Sequence, residues 1–224
     1  LKRKQTNRHQ PKQRNSRLFL ICVLLLIGII GCLSLLGREN ATKEISFPTT
    51  VENGALKLIG QQPVSIEMPV KARSQFPTLP TGCEIADVAM LFDYRGHPTD
   101  LATLANSLPY TDNPETGFWG DPFTGTGYTM YPPGWRPIFE KKLGSFTDLS
   151  GQSVTKLKGQ LAKGKPIVAW VHMHGFFAHA ILLTGYDHDT IIYNDPFTGK
   201  GRQQMSSQRF WTVAASQKHR AMTY

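Results

Sequence analysis

The chain has 224 residues, 40% of them apolar and 18% charged, with 20 Gly, 15 Pro, 12 Phe, 7 Tyr and 4 Trp. That supply of large apolar side chains excludes a globally disordered or collagen-like chain and fits one or two domains. The net charge of +9 is uneven: residues 1–17 hold seven Lys or Arg and no acid, leaving 18 basic against 16 acidic groups in the remainder. The basic balance belongs to a tail, which argues against a fold that grips nucleic acid through a basic face.

An uncharged run of 20 residues, 18–37 (LFLICVLLLIGIIGCLSLLG), lies between Arg17 and Arg38. At about 1.5 Å per residue it spans roughly 30 Å, the thickness of a bilayer's hydrocarbon core. The seven basic residues before it stay in the cytoplasm under the positive-inside rule. The expected order is therefore a basic cytoplasmic tail (1–17), a single-pass signal anchor in the cell membrane (18–37), and an extracellular remainder. A cleaved secretory signal has a shorter apolar region and an Ala-x-Ala site. A lipoprotein signal lipidated at Cys32 would turn polar afterwards, whereas Leu33, Leu35, Leu36 and Gly37 follow it. The uncleaved anchor is the preferred reading.

Residues 38–67 are polar, lack sustained periodicity and read as a stalk; 68–224 then form one folded domain. Ile85, Val88, Ala89 and Phe92 fall on one helical face that Gly96 would stop, and Leu101, Leu104, Ala105 and Leu108 repeat the spacing behind Thr99 or Asp100 as cap. Residues 109–137 are dense in Gly, Pro and aromatics, and a segment of that length without periodicity reads as an irregular cleft wall. Val154, Leu157 and Leu161 mark a third helix ended by Gly164. Strands are expected over 166–173, 179–187 and 190–194, and a last helix over 207–215. Helices followed by an antiparallel sheet make an α+β plan. The pentapeptide Asp-Pro-Phe-Thr-Gly occurs at 121–125 and again at 195–199 with unrelated flanks, two loops of similar chemistry and not a domain repeat.

Cys22 and Cys32 sit inside the apolar run, which leaves Cys83 as a lone thiol on the oxidising side of the membrane. Thr81 and Glu84 match a capping box that puts Cys83 in the first turn of its helix. The helix dipole there favours negative charge, so a thiolate is expected below the usual thiol range. A nucleophilic thiol needs a base, and His97, His172, His174, His179, His188 and His219 are available. His179, opening an apolar strand, is best placed to be held rigidly. A hairpin centred on His188 would set Asp195 opposite Ile181, diagonal to His179 on the same face and able to orient its imidazole. An even-numbered loop would put the two on opposite faces. Gln75, eight residues before Cys83, is a candidate oxyanion donor beside the Cys83 backbone N–H.

Taken in order, Gln75-Phe-Pro-Thr-Leu-Pro-Thr-Gly-Cys83-Glu84, then His179-Ala-Ile-Leu-Leu-Thr-Gly-Tyr-Asp187, then Tyr193-Asn-Asp195-Pro196 resembles the bacteriocin-processing cysteine peptidases, and most closely their stand-alone peptidase C39-like relatives. The resemblance covers about residues 68–215. It implies a papain-like cysteine peptidase fold, with Cys83 as nucleophile, His179 as base, Asp195 as orienter and Gln75 in the oxyanion hole. Transporter-fused members of that family remove leader peptides after a double glycine inside the cell; these 224 residues carry no transporter or ATP-binding domain, and the domain is expected outside. The expectation is a membrane-anchored thiol hydrolase, a peptidase working through a thioester. Its partners would be a peptide or protein substrate and the membrane, with no nucleic acid, cofactor or metal. Rival readings are a zinc site on His172, His174 and His179, which lacks an evident fourth ligand, a cell-wall amidase of Cys/His type, and a tethered binding module without activity.

Overall fold

The computed structural model describes residues 49–58 and 61–224. The basic tail, the apolar run with Cys22 and Cys32, and residues 38–48 of the expected stalk lie outside the described residues. Among the described residues no helix is long and apolar enough to cross a membrane.

In chain order the elements are α1 (Thr49–Leu58), β1 (Ser65–Glu67), α2 (Cys83–Tyr94), α3 (Leu101–Asn106), α4 (Pro132–Leu143), β2 (Thr147–Asp148), α5 (Val154–Leu161), β3 (Ile167–Met173), β4 (Phe176–Asp187), β5 (Thr190–Asp195), β6 (Lys200–Ser206), α6 (Ser207–Ala215) and β7 (Ala221–Thr223). The seven strands form one sheet in the order β2-β7-β3-β4-β5-β6, with β1 also paired to β4. Every pairing is antiparallel.

Side chains alternate across the sheet and divide the core in two. Val168, Trp170, Ala180, Leu182 and Met222 pack with α2, α3 and α4, while Ile167, Ala169, Val171, Ile181 and Leu183 pack with α5 and α6. A sheet covered on both faces needs apolar residues at every position. This is why β3 and the centre of β4 read as unbroken apolar runs.

Six elements escaped the sequence pattern, the short paired strands β2 and β7 among them. Helix α4 lies inside the segment 109–137 and beyond, which read as irregular because of its prolines. Pro132 and Pro133 occupy the first helical positions, where no N–H is needed, and Trp135 and Phe139, one turn apart, are fully buried. Gly144 ends the helix in the left-handed conformation, φ 76°. Strand β6 is a polar edge strand, with Met205 its one buried residue, and the charges that hide it from pattern reading also guard the edge.

The other two elements fall in the segment read as a stalk. Its described part is structured: α1 is tied down through Asn53, whose Oδ1 accepts the Val64 N–H at 2.8 Å and whose amide donates to Ser65 O at 2.8 Å. β1 then pairs with Ile66 opposite Tyr186. Of the two caps expected for α3, Asp100 serves, accepting the Thr103 N–H, and the helix ends at Asn106, short of Leu108.

Candidate active site

The sheet supplies an imidazole and a carboxylate. β4 and β5 are joined by a two-residue turn, His188-Asp189, with Asp187 opposite Thr190. This is the even loop that should have put His179 and Asp195 on opposite faces. A bulge at Thr184 reverses that outcome: Gly185 pairs with Ile192, whereas Leu183 pairs with Tyr193 and Leu182 with Asn194. The extra residue restores the parity. Gly185 is required beside it because a Cβ there would lie 2.2 Å from Ile66 O on β1.

His179 Nε2 lies 3.0 Å from Asp195 Oδ1, both residues buried. The same oxygen accepts the Phe197 N–H at 3.0 Å, and Oδ2 lies 2.8 Å from His174 Nε2. Burial pushes the His179 pKa down against the opposing pull of Asp195, so the ring is neutral. Burial would raise Asp195, but its hydrogen bonds with His179 and His174 outweigh it and hold the carboxyl at about 2. A neutral imidazole facing an ionised carboxylate carries its proton on Nε2. That leaves Nδ1 as the acceptor.

The helical half is built differently. Cys83 is the first residue of α2, so its backbone N–H has no intrahelical partner. The expected capping box does not form: Gly82 is the N-cap without a side-chain bond. The Thr81 hydroxyl instead donates to Thr124 O at 2.9 Å, and buried Glu84 accepts from the Thr129 hydroxyl at 2.8 Å and the Met130 N–H at 2.7 Å. Cys83 Sγ accepts the Ala180 N–H at 3.3 Å, and its thiol donates to Glu84 Oε2 at 3.3 Å.

The thiolate expected at this helix end is overturned. Burial pushes the Cys83 pKa well up, with Glu84 and Asp87 adding to the rise, and only the Ala180 amide opposes them. The resting thiol is neutral. One turn on, Asp87 is buried with neither carboxylate oxygen bonded, and burial beside Asp195 and Glu84 raises its pKa well above the usual range. Gln75 donates through Nε2 to Pro80 O at 2.7 Å, while its buried Oε1 has no partner.

The twin pentapeptides brace this half from both sides. In each, the Asp Oδ1 accepts an amide two residues on, from Phe123 at 2.9 Å and from Phe197 at 3.0 Å. In each, the proline carbonyl then holds the segment that leads to Cys83: Pro196 O accepts the Gln75 N–H at 2.9 Å and Pro122 O the Thr81 N–H at 3.4 Å. The copies therefore share a turn and a neighbour, though only the second puts its Asp against a histidine.

Gln75, Cys83 and His179 line one cleft of about 150 Å³, walled by Gly127 and Tyr128 from the long loop and by Phe176, Phe177 and Ala178 from β4. Asp195 lies behind His179. The structure thus brings together all four residues singled out from sequence. Two of the described histidines lie outside the cleft lining: His219 stacks on Trp211 with centroids 3.6 Å apart, and His188 bonds Asp187. His97 follows α2 and reaches no part of the cleft lining. Of the proposed zinc ligands, His172 packs edge-on to Phe177 outside the cluster. His174, His179 and Asp195 do bring three ligand atoms within 4.8 Å, yet those groups already satisfy one another as hydrogen-bond partners. Sequence reasoning missed the roles of Glu84 and Asp87, and of His174 on Asp195.

Residues 67–219, more than half of the chain, match the Peptidase_C39 like family. The uncharacterized protein YvpB of Bacillus subtilis (strain 168) is 29% identical over 175 residues, 63% of this chain and 69% of that protein. A crystal structure of a candidate C39-like peptidase from Bacillus anthracis superposes with a TM-score of 0.65 at 23% identity, covering 71% of this chain and 96% of that one. The peptidase domain of Streptococcus ComA, a bi-functional ABC transporter involved in a quorum-sensing pathway, gives a TM-score of 0.47 at 16% identity over 69% and 96% of the two chains. The antiparallel sheet with helices is the fold of the Bacillus anthracis protein, and by its sequence match this chain belongs to the Peptidase_C39 like family.

Proposed function

We propose that the chain is a cysteine peptidase in which Cys83 is the nucleophile, His179 the general base, Asp195 its orienter and Gln75 an oxyanion donor. The observation that carries the reading is a shared junction. The amide of Ala180, the residue after His179, bonds Cys83 Sγ at 3.3 Å, while His179 Nε2 is held by Asp195 at 3.0 Å. Family membership supports the peptidase class.

The chemistry follows from the protonation states. Thiol and imidazole rest neutral, so Cys83 is activated in place: as Sγ attacks the peptide carbonyl carbon, its proton passes to His179 Nδ1. The developing oxyanion takes the Cys83 backbone N–H and the second hydrogen of Gln75 Nε2, the first being held by Pro80 O. His179 returns the proton to the leaving amine as the C–N bond breaks, giving a thioester. Water, deprotonated by His179, then attacks the thioester carbon. The C–S bond breaks, the acid leaves and the thiol is restored.

Among the described residues no Asp, Glu, Lys or Arg lines the cleft, and Pro80, Tyr128, Phe176, Phe177 and Ala178 give it an apolar wall. Neutral residues beside the scissile bond therefore suit it better than the charged stems of a cell wall. The 20 uncharged residues 18–37 behind seven basic ones support a membrane anchor with the domain outside. Comparing peptides released at the surface of cells carrying wild type or Cys83→Ala tests the whole. Cleavage products present only with wild type are expected; identical peptide sets would remove the proteolytic reading.

A further inference from the structure

The β3–β4 hairpin turns through His174 and Gly175, both with positive φ (56° and 81°), between paired Met173 and Phe176. A two-residue turn with two positive φ values is the type I′ form, whose first position favours Asn, Asp or Gly. A histidine is the weaker choice on turn chemistry alone, since the left-handed region is less favourable for a residue with a side chain than for glycine. What this one gains is reach. Its ring crosses to Asp195, with Nε2 2.8 Å from Oδ2, and lies flat on Phe197 at 4.8 Å and 22°. Phe197 belongs to the same turn as Asp195 and closes it through its N–H to Oδ1.

We infer that His174 is a positioning residue: it fixes the Asp195 carboxylate by occupying Oδ2, so that Oδ1 remains aimed at His179. A carboxylate held by one imidazole and one amide on a single oxygen can still rotate about its Cβ–Cγ bond. A donor on the second oxygen removes that freedom. The side chain of His174 is one quarter exposed, whereas those of His179 and Asp195 are almost fully enclosed. His174 thus seals the solvent side of the pair, and Phe197 holds its ring in plane. The inference rests on the triad reading and concerns the proton acceptor, not the peptide bound.

Acylation of Cys83 by p-nitrophenyl acetate, followed as the first-turnover release of nitrophenolate, reads nucleophile and base without a known peptide. His174→Asn provides the favoured type I′ residue but is too short to reach Asp195, so it separates the turn from the imidazole. Acylation about tenfold slower than wild type is expected, with an unchanged thermal midpoint. His174→Gln, which restores an N–H donor on a longer arm, should recover most of the rate. His174→Asn acylating like wild type while His179→Ala is slow would overturn the inference and leave the triad standing. His179→Ala acylating like wild type would overturn the triad and the inference with it. A slowing of His174→Asn that tracks a lowered thermal midpoint and is not recovered by His174→Gln would reduce His174 to a turn residue.

Discussion

The two halves of the site are built on opposite principles. On the sheet, His179 and Asp195 are buried and every polar atom that faces inward is bonded: Nε2 to Oδ1, Oδ1 also to the Phe197 amide, Oδ2 to His174. On the helix, Glu84 is well bonded, but Asp87 has two bare oxygens, Gln75 one, and the thiol is driven towards its neutral form. The difference teaches where the site is prearranged. The proposed base and its orienter are fixed before substrate arrives, while the helical half leaves the Cys83 backbone N–H and the second hydrogen of Gln75 Nε2 for a substrate to engage.

The sheet half is the place to break the site outright. Asp195→Asn would reverse the hydrogen-bond polarity at His179: an amide nitrogen facing Nε2 forces the proton to Nδ1, which can then no longer accept from Cys83. Loss of roughly 10³- to 10⁴-fold in turnover is expected, with the fold intact by circular dichroism. Gln75→Ala tests the helical half more gently. It removes one of two oxyanion donors, so kcat should fall about 10²-fold with KM little changed. A rise in KM alone would recast Gln75 as a substrate contact.

The neutral resting thiol makes a third test, one whose sign is opposite to the expectation drawn from the helix end. Because the Cys83 pKa is raised by burial, iodoacetamide should label Cys83 in the folded domain at pH 7 about tenfold more slowly than in the denatured chain. The rate should climb as pH passes the ordinary thiol value of about 8.5. Faster labelling of the folded protein would show that the helix terminus outweighs burial after all, and that the two halves are equally prearranged.

The contrast between the halves is also the contrast between what could and could not be read from the chain. The apolar run along 179–187 and the order of Cys83, His179 and Asp195 are visible in the chain, and they led to residues that the fold brings together. The pairing of His179 with Asp195 was legible only by luck of compensation. The loop around His188 is even, not odd, and the bulge at Thr184 that corrects it depends on β1 passing over Gly185, a contact between residues more than a hundred positions apart. The thiolate expectation failed for a related reason. A helix N-terminus is visible in sequence, but the depth at which tertiary packing buries it is not. Helix α4 was hidden by its prolines, Pro132 and Pro133 being tolerated at its start while Pro137 lies inside it, and its Trp135 and Phe139 look like loop aromatics until they are buried. His174 carried a signal that went unread, a His-Gly pair where a tight turn prefers Asn-Gly.

Asp87 offers the smallest and sharpest test of the comparison, since it reads the helical half through stability and not rate. In the folded protein its pKa is raised by burial, with Asp195 and Glu84 adding to the rise. The unfolded chain releases the Asp87 proton near the ordinary value of about 3.9, whereas the folded protein retains it to higher pH. The unfolded state therefore binds fewer protons above that value, and stability declines as pH rises from about 4 towards the folded pKa. Asp87→Asn keeps the shape and removes the titration. In urea, wild type and Asp87→Asn should unfold with nearly the same free energy at pH 4, and the variant should be the more stable at pH 8. An equal gap at both pH values would mean that Asp87 ionises in the folded protein as it does in the unfolded chain. In that case the bare oxygens would have a partner such as ordered water, and the helical half would be as fully paired as the sheet.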